Sequence, residues 1–289
     1  MQKIIPFLMF ESGAAEAMRF YTSIFKNSNI IGGDDAAIKP PGGSFEIDGF
    51  RINTFDGGPH FKFSPAISFF HICDSEAEID ELWAAIAEEG KVMMPLDKYD
   101  WSEKYGFIED KFGVCWQLSL GKVSDVGQRT TPSLLFVGDH VGSGEEAVKF
   151  YASLFDDSKI DGILLYGDDE PPNEPGTVKH SQFALEGEKF MLMEGGGEHK
   201  FNFTEAISLM ILCEDQAEVD EFWDKFTAEG EESQCGWVKD KFGVSWQVTP
   251  KILLELVSDP DPEKADKAVQ AMLKMHKIDI QALKDAVAA

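Results

Sequence analysis

The sequence predicts an α+β protein of two tandem halves, each built from two βαβββ modules, followed by a helical tail. Three observations carry this. YGFIEDKFGVCWQLSL, starting at Tyr105, returns as CGWVKDKFGVSWQVTP, starting at Cys235, 130 residues later. Within it D-K-F-G-V-x-W-Q is kept letter for letter at residues 110–117 and 240–247, and an echo at a fixed period marks a duplicated unit. Matching extends to residues 17–25 with 147–155, 61–68 with 201–208 and 77–83 with 217–223, the offset drifting from 130 to 140 and back. Insertions therefore fall between elements, where surface loops accept them. Inside each half, finally, the order strand, helix, strands runs twice. The halves are expected at residues 1–121 and 132–257, and the tail at 258–289.

The elements follow in order. Residues 4–10 (IIPFLMF) form a first strand, and residues 14–25 place Ala14, Ala17, Met18, Tyr21 and Phe25 on one helical face. Short strands follow near residues 29–31, 44–47 and 50–55, with Asp48-Gly49 as a hairpin turn. The order then restarts: a strand at 66–73, a helix at 76–89 ending at Gly90, and strands near 91–94, 106–109 and 114–119. Gly90 and its counterpart Gly230 are expected to cap helices in the left-handed conformation. In the second half a strand at 178–185 carries His180, and the next strand ends at Glu194. In the tail Asp261 caps a helix with Pro262 at its first position. Ala265, Val269, Met272 and His276 share a face, and Asp279 caps a second short helix through Val287. Lacking a strong basic face, the tail is expected to pack onto the domains rather than onto a membrane.

Composition narrows the function classes. A formal charge of -26 opposes binding to nucleic acid or to an anionic membrane surface. No apolar run approaches the roughly 20 residues that span a bilayer, and the start MQKIIPFLMFESG is too short in apolar residues for a secretory signal. The four cysteines show no C-x-x-C spacing, and Cys73 and Cys213 occupy equivalent apolar strands. Buried, reduced thiols in a cytoplasmic protein are expected.

Paired βαβββ modules, PFLMFE…A-x-x-F-Y near the first start and D-x-F-G-V-x-W-Q at each end together resemble the vicinal-oxygen-chelate superfamily of glyoxalases, extradiol dioxygenases and antibiotic-resistance proteins. The nearest branch is similar to that named demethylubiquinone methyltransferase-like, here in tandem over residues 3–120 and 132–250. The resemblance implies strands curled into a cup with helices outside, and His and Glu ligands holding a divalent metal as Lewis acid. The methyltransferase name would imply S-adenosylmethionine, yet no glycine-rich turn joins a first strand to a first helix. Gly57-Gly58 and Gly195-Gly196-Gly197 follow strands without opening helices.

Three ligand positions depart from that pattern in both copies. Gln117 and Gln247 stand where the last strand usually carries Glu, and Ser68 and Ser208 where the second module usually opens with His. The first strands, read as residues 4–10 and 134–137, offer neither His nor Gln. Neutral amides and hydroxyls offset the dehydration of a dication poorly, so any divalent metal is expected to bind weakly and no other cofactor is implied. Strand alternation then places Cys115, Gln117 and Ser119, with Ser68, Phe70 and Ile72, inside the cup. Trp116, Phe69, His71 and Cys73 face the helices, His71 as a packed, hydrogen-bonded histidine. Phe55, Phe70 and Phe7 would supply an aromatic wall. His180 and Glu194, with Ser208 and Gln247, are candidates for an acid–base cluster, which favours the second copy as the active one. The acidic stretch 168–172 reads as a solvated loop at the rim.

Three readings follow for a small-organic-ligand site: a protein that sequesters an aromatic molecule, a lyase, isomerase or dioxygenase with or without metal, and a scaffold with one decayed domain. Single-domain relatives resemble two-fold dimers with shared cups, so an intramolecular pseudo-dimer is expected, with a further homodimer as an alternative.

Overall fold

The computed structural model describes residues 2–32 and 41–289. In chain order the larger compact unit, Gln2 with Pro6–Ile207, contains β1 (Ile4–Phe10) from its third residue, α1 (Ala14–Ile24), β2 (Ser28–Ile30), β3 (Gly42–Ile47) and β4 (Phe50–Asp56). There follow β5 (Ile67–Cys73), α2 (Glu76–Ala87), β6 (Lys91–Tyr99), β7 (Ser102–Glu109), β8 (Cys115–Leu120) and a short α3 (Val123–Val126). The second copy opens with β9 (Thr130–Val137), α4 (Gly144–Leu154), β10 (Ser158–Leu165), β11 (Val178–Leu185) and β12 (Glu188–Gly195). The smaller unit, Lys3–Ile5 with Ser208–Ala289, holds β13 (Ile207–Cys213) from its second residue, α5 (Gln216–Thr227), β14 (Glu231–Glu232), β15 (Trp237–Lys239) and β16 (Ser245–Pro250). It ends with α6 (Lys251–Val257), α7 (Pro262–Met272) and α8 (Ile280–Ala288).

The sheet that matters most lies wholly in the larger unit, in the order β10-β11-β12-β9-β5-β8-β7-β6. Its middle is the antiparallel pair β5 and β9, with Ser68 opposite Ser133 and Phe70 opposite Thr131. The last module of the first half and the first module of the second half thus build one curled sheet. In the same unit β1, β4, β3 and β2 are neighbours in that order, and in the smaller unit β14, β15, β16 and β13 are.

The repeated D-x-F-G-V-x-W motif is a structural lock. Asp110 Oδ1 accepts from the backbone N–H of Phe112 at 2.9 Å and of Val114 at 3.0 Å, closing the turn into β8. Its Oδ2 accepts from Trp116 Nε1 at 2.9 Å and from the Tyr21 hydroxyl at 2.7 Å. Gly113 takes a φ of 91°, which L side chains rarely adopt. In the smaller unit Asp240 repeats the bonds to Phe242, Val244 and Trp246. Burial pushes the Asp110 carboxyl above its ordinary value, against the pull of these four hydrogen bonds. Trp116 is fully buried against Phe25 and Phe69, with ring centroids at 4.6 and 5.3 Å.

Most expected elements are present, and the exceptions have physical reasons. Gly90 and Gly230 do not adopt positive φ; Glu89 does, at 63°. Both glycines answer to close approach instead: a Cβ on Gly90 would lie 2.5 Å from Ile86 O, and one on Gly230 2.3 Å from Lys239 O. β6 and β7 run longer than their apolar cores suggested, because the polar residues from Asp97 to Lys104 continue the ladder. α7 stops at Met272, so His276 leaves the expected helical face and is exposed, while Ala268 is the buried residue. Asp261 and Asp279 cap α7 and α8 as expected. The tail folds back within its unit on Leu253, Ile278 and Leu283.

His71 is buried on the helix side, its ring 4.8 Å from Phe25 and its Nδ1 2.8 Å from Thr130 Oγ1. Burial lowers its pKa from 6.5 to about 3, Arg129 adding to the effect and Asp48 and Asp74 opposing it. The neutral imidazole is therefore worth most above pH 6.5, and that stability is lost as pH falls from 6.5 toward 3. Urea titrations across this window should show the wild type losing up to about 1.4 kcal/mol per pH unit relative to His71→Gln. Parallel curves for the two proteins would contradict the assignment. Asp110→Ala, which strands four donors, should cost about 3–5 kcal/mol in chemical denaturation.

Candidate functional site

Register fixes which side chains share the face away from the helices. Across β9, β5, β8 and β7 one row reads Ser133, Ser68, Cys115, Glu109, and the next reads Thr131, Phe70, Gln117, Phe107. Gln117 sits at the centre of a neutral relay. The Tyr105 hydroxyl donates to Gln117 Oε1 at 2.7 Å, and Gln117 Nε2 donates to Ser68 Oγ at 2.8 Å. Tyr105, Phe107 and Cys115 are buried together, with Phe70, Met93, Met94 and Tyr99 packed against them. Burial holds the Tyr105 phenol and the Cys115 thiol well above their ordinary values, so both keep their protons. The smaller unit repeats part of this: Gln247 Nε2 donates to Ser208 Oγ at 2.9 Å. At Tyr105's place in the repeat stands Cys235.

Farther along the same sheet a cleft of about 400 Å³ opens between α3 and the β10–β11 edge. Asp125, Asp161, Gly162, Ile163, Leu164, His180 and Gln182 line it. Asp161 is paired with Lys159 and Lys189, whose hydrogen bonds hold its carboxyl below the usual range. Gln182 Nε2 donates to Val126 O at 2.9 Å and ties α3 to the wall. Burial lowers the His180 pKa, which favours the neutral imidazole.

The remaining expected site residues disperse. Glu194 is turned to the helix side, where its carboxylate accepts from the backbone N–H groups of Gly142, Gly144 and Val178. Gly144 leaves the room, since a Cβ there would lie 2.7 Å from the Glu194 carboxyl carbon. Its counterpart Asp56 does the same for α1, accepting from Ala14 N–H at 2.8 Å. Both acids hold helix N-termini, a favourable place for negative charge. Phe55 lies on β4, between β1 and β3, with its ring 6.2 Å from Phe7, whereas Phe70 lies on β5 between β8 and β9. The aromatic wall read from the sequence is thus divided between two sheets. His180 belongs to the larger unit and Ser208 and Gln247 to the smaller. Because the central sheet draws modules from both halves, Ser68 and Gln117 of the first copy share it with His180 of the second. Tyr105, Thr131 and Ser133 went unrecognised. Tyr105 lies two residues along β7 from Phe107, the partner of Gln117, so only the β7–β8 register reveals it, while starting the second copy's first strand at Thr130 would have found the two hydroxyls.

The donor set does not suit a divalent metal. Gln117 turns its nitrogen to Ser68 and commits its oxygen to Tyr105, and among the described residues no group of three His, Cys, Asp or Glu could hold a metal. S-adenosylmethionine is equally poorly served. The β1–α1 connection carries the single glycine Gly13, and Gly57-Gly58 and Gly195-Gly196 lead toward strands rather than into helices.

Comparison with known proteins agrees with this architecture. The family described as 3-demethylubiquinone-9 3-methyltransferase matches residues 2–119 and again residues 128–249. A PhnB protein from Bacillus cereus that bears the same methyltransferase name is 39% identical over 42% of this chain and 100% of its own, with a TM-score of 0.38. Protein PA1353 from Pseudomonas aeruginosa is 25% identical over 42% of this chain and 98% of its own, with a TM-score of 0.36. Glyoxalase I from Zea mays, at 12% identity, covers 84% of this chain and 92% of its own with a TM-score of 0.54, a likeness of fold. None of the curated proteins matches. The chain belongs to the family described as 3-demethylubiquinone-9 3-methyltransferase, and its fold is glyoxalase-like.

Proposed function

We infer that this protein binds a small organic molecule in the cup of the larger unit, through neutral hydrogen bonds rather than through a divalent metal. The observation that carries the reading is the Tyr105–Gln117–Ser68 relay, in which an amide and a serine hydroxyl occupy two of the expected ligand positions and a phenol completes the chain. Neutral oxygens recover little of the hydration that a dication must give up, but they suit an uncharged organic ligand in a largely apolar setting. His180, on the wall of the adjoining cleft, is the group suited to proton transfer should the bound molecule react. Residues 1–121 and 132–257 act as the two glyoxalase-like halves, and the sharing of modules between them makes the site. Methyl transfer is not part of this reading.

Elemental analysis of protein purified without chelator should find Zn, Mn, Ni and Fe substoichiometric. A stoichiometric metal would overturn the inference in favour of a metal-dependent lyase, isomerase or dioxygenase. Glu194→Gln should lower unfolding stability by about 1–2 kcal/mol, the loss of a helix-capping carboxylate. A catalytic Glu194 would instead give a stable protein with impaired turnover.

A further inference from the structure

We propose that Ser68, Thr131 and Ser133 form a hydroxyl triplet that holds the carbonyl-type oxygen of a neutral, planar aromatic ligand in the larger unit's cup. This rests on the ligand-binding reading above and adds the chemical class of the ligand. Thr131 Oγ1 and Ser133 Oγ are buried, at 0% and 1% residue exposure, and find no hydrogen-bond partner among the described residues. Buried hydroxyls in native proteins are nearly always satisfied, so two on one strand face call for an explanation such as a bound molecule. Thr131 and Ser133 alternate onto the same face of β9, and Ser133 stands directly opposite Ser68. Ser68 accepts from Gln117 Nε2 and so keeps its own proton for another acceptor. The face therefore offers three O–H donors, while the relay's amide oxygen is already taken by Tyr105.

The surroundings choose the rest of the ligand. Phe70 stands opposite Thr131, and Phe107 lies beyond Gln117 in the same row. Above them the β6–β7 hairpin contributes Met93, Met94 and Tyr99. Trp101, 64% exposed at the hairpin tip, stacks on Tyr99 at 5.0 Å and 24°. A flat ring meets aromatic faces and thioethers here. An anion would meet Asp125 and Asp161 at the cleft, and Lys189 is already paired with Asp161. A buried anion would also meet Glu109, which ends the row of Ser133, Ser68 and Cys115.

The test uses the full chain and three naphthalenes of one shape: 2-acetylnaphthalene, 2-ethylnaphthalene and 2-naphthoate, titrated by equilibrium dialysis. The ketone should bind about 10-fold more tightly than the hydrocarbon, the net gain of about one neutral hydrogen bond, and the carboxylate more weakly than the ketone. Thr131→Val combined with Ser133→Ala should abolish the preference for the ketone and leave the hydrocarbon's affinity unchanged. Thr131→Ser, which keeps the hydroxyl, should retain the preference and guards against a folding defect. Equal binding of ketone and hydrocarbon by the wild type, or an unaltered preference in the double variant, would overturn the triplet while leaving ligand binding standing. Failure of every naphthalene to bind up to its solubility limit would overturn the ligand-binding reading and the triplet together.

Discussion

One carboxylate in each copy governs the geometry on which everything else depends. Asp110 closes the turn into β8 through two backbone N–H groups and pins the indole of Trp116 six residues on. With Trp116 fixed on the helix side, strand alternation leaves Gln117 no choice but the opposite face. The Tyr21 hydroxyl adds a tether from α1 to the same carboxylate, so helix, turn and strand share one acceptor. Such a group is costly to bury alone and inexpensive when four donors meet it. The motif that reveals the duplication is therefore a device for orienting a strand, and its chemistry lies in what that strand presents.

What it presents is polar but uncharged. A carboxylate at position 117 would sit between the Tyr105 and Ser68 hydroxyls and would need a cation to justify its burial. An amide needs only one donor and one acceptor, and it has both. Where the family resemblance led to an expectation of charged ligands, positions 117 and 68 carry a neutral hydrogen-bonded bridge. Fold and function separate here, since activity is decided by the side chains of the site.

Much of this was legible in the sequence, for identifiable reasons. Repetition gave the modules, and alternation from Gln117 placed Ser68, Phe70 and Cys115 correctly on one face, with His71 and Trp116 on the other. What escaped depended on long-range pairing. Residues 134–137 alone carry the apolar pattern of the second copy's first strand. The strand in fact starts at Thr130 and carries Thr131 and Ser133 into the cup. Glu194 reads from the sequence as a member of an acid–base cluster with His180, Ser208 and Gln247. Only the fold shows that α4 begins above it and takes the charge. The division of Phe55 and Phe70 between sheets likewise follows from which modules pair, a choice that local pattern does not encode.

The two copies also show what duplication permits. Both keep the Asp–Trp lock and both keep a Gln–Ser bond, Gln117 to Ser68 and Gln247 to Ser208. They differ one strand away, where Tyr105 stands against Cys235. A tyrosine can reach the amide oxygen and complete the relay; a cysteine is shorter and only a weak donor. The lock preserves backbone geometry regardless of what the inward positions hold, so those positions are free to diverge without loss of fold. The larger unit's sheet therefore gains its relay from a single side-chain difference, set on a framework that the repeat holds constant.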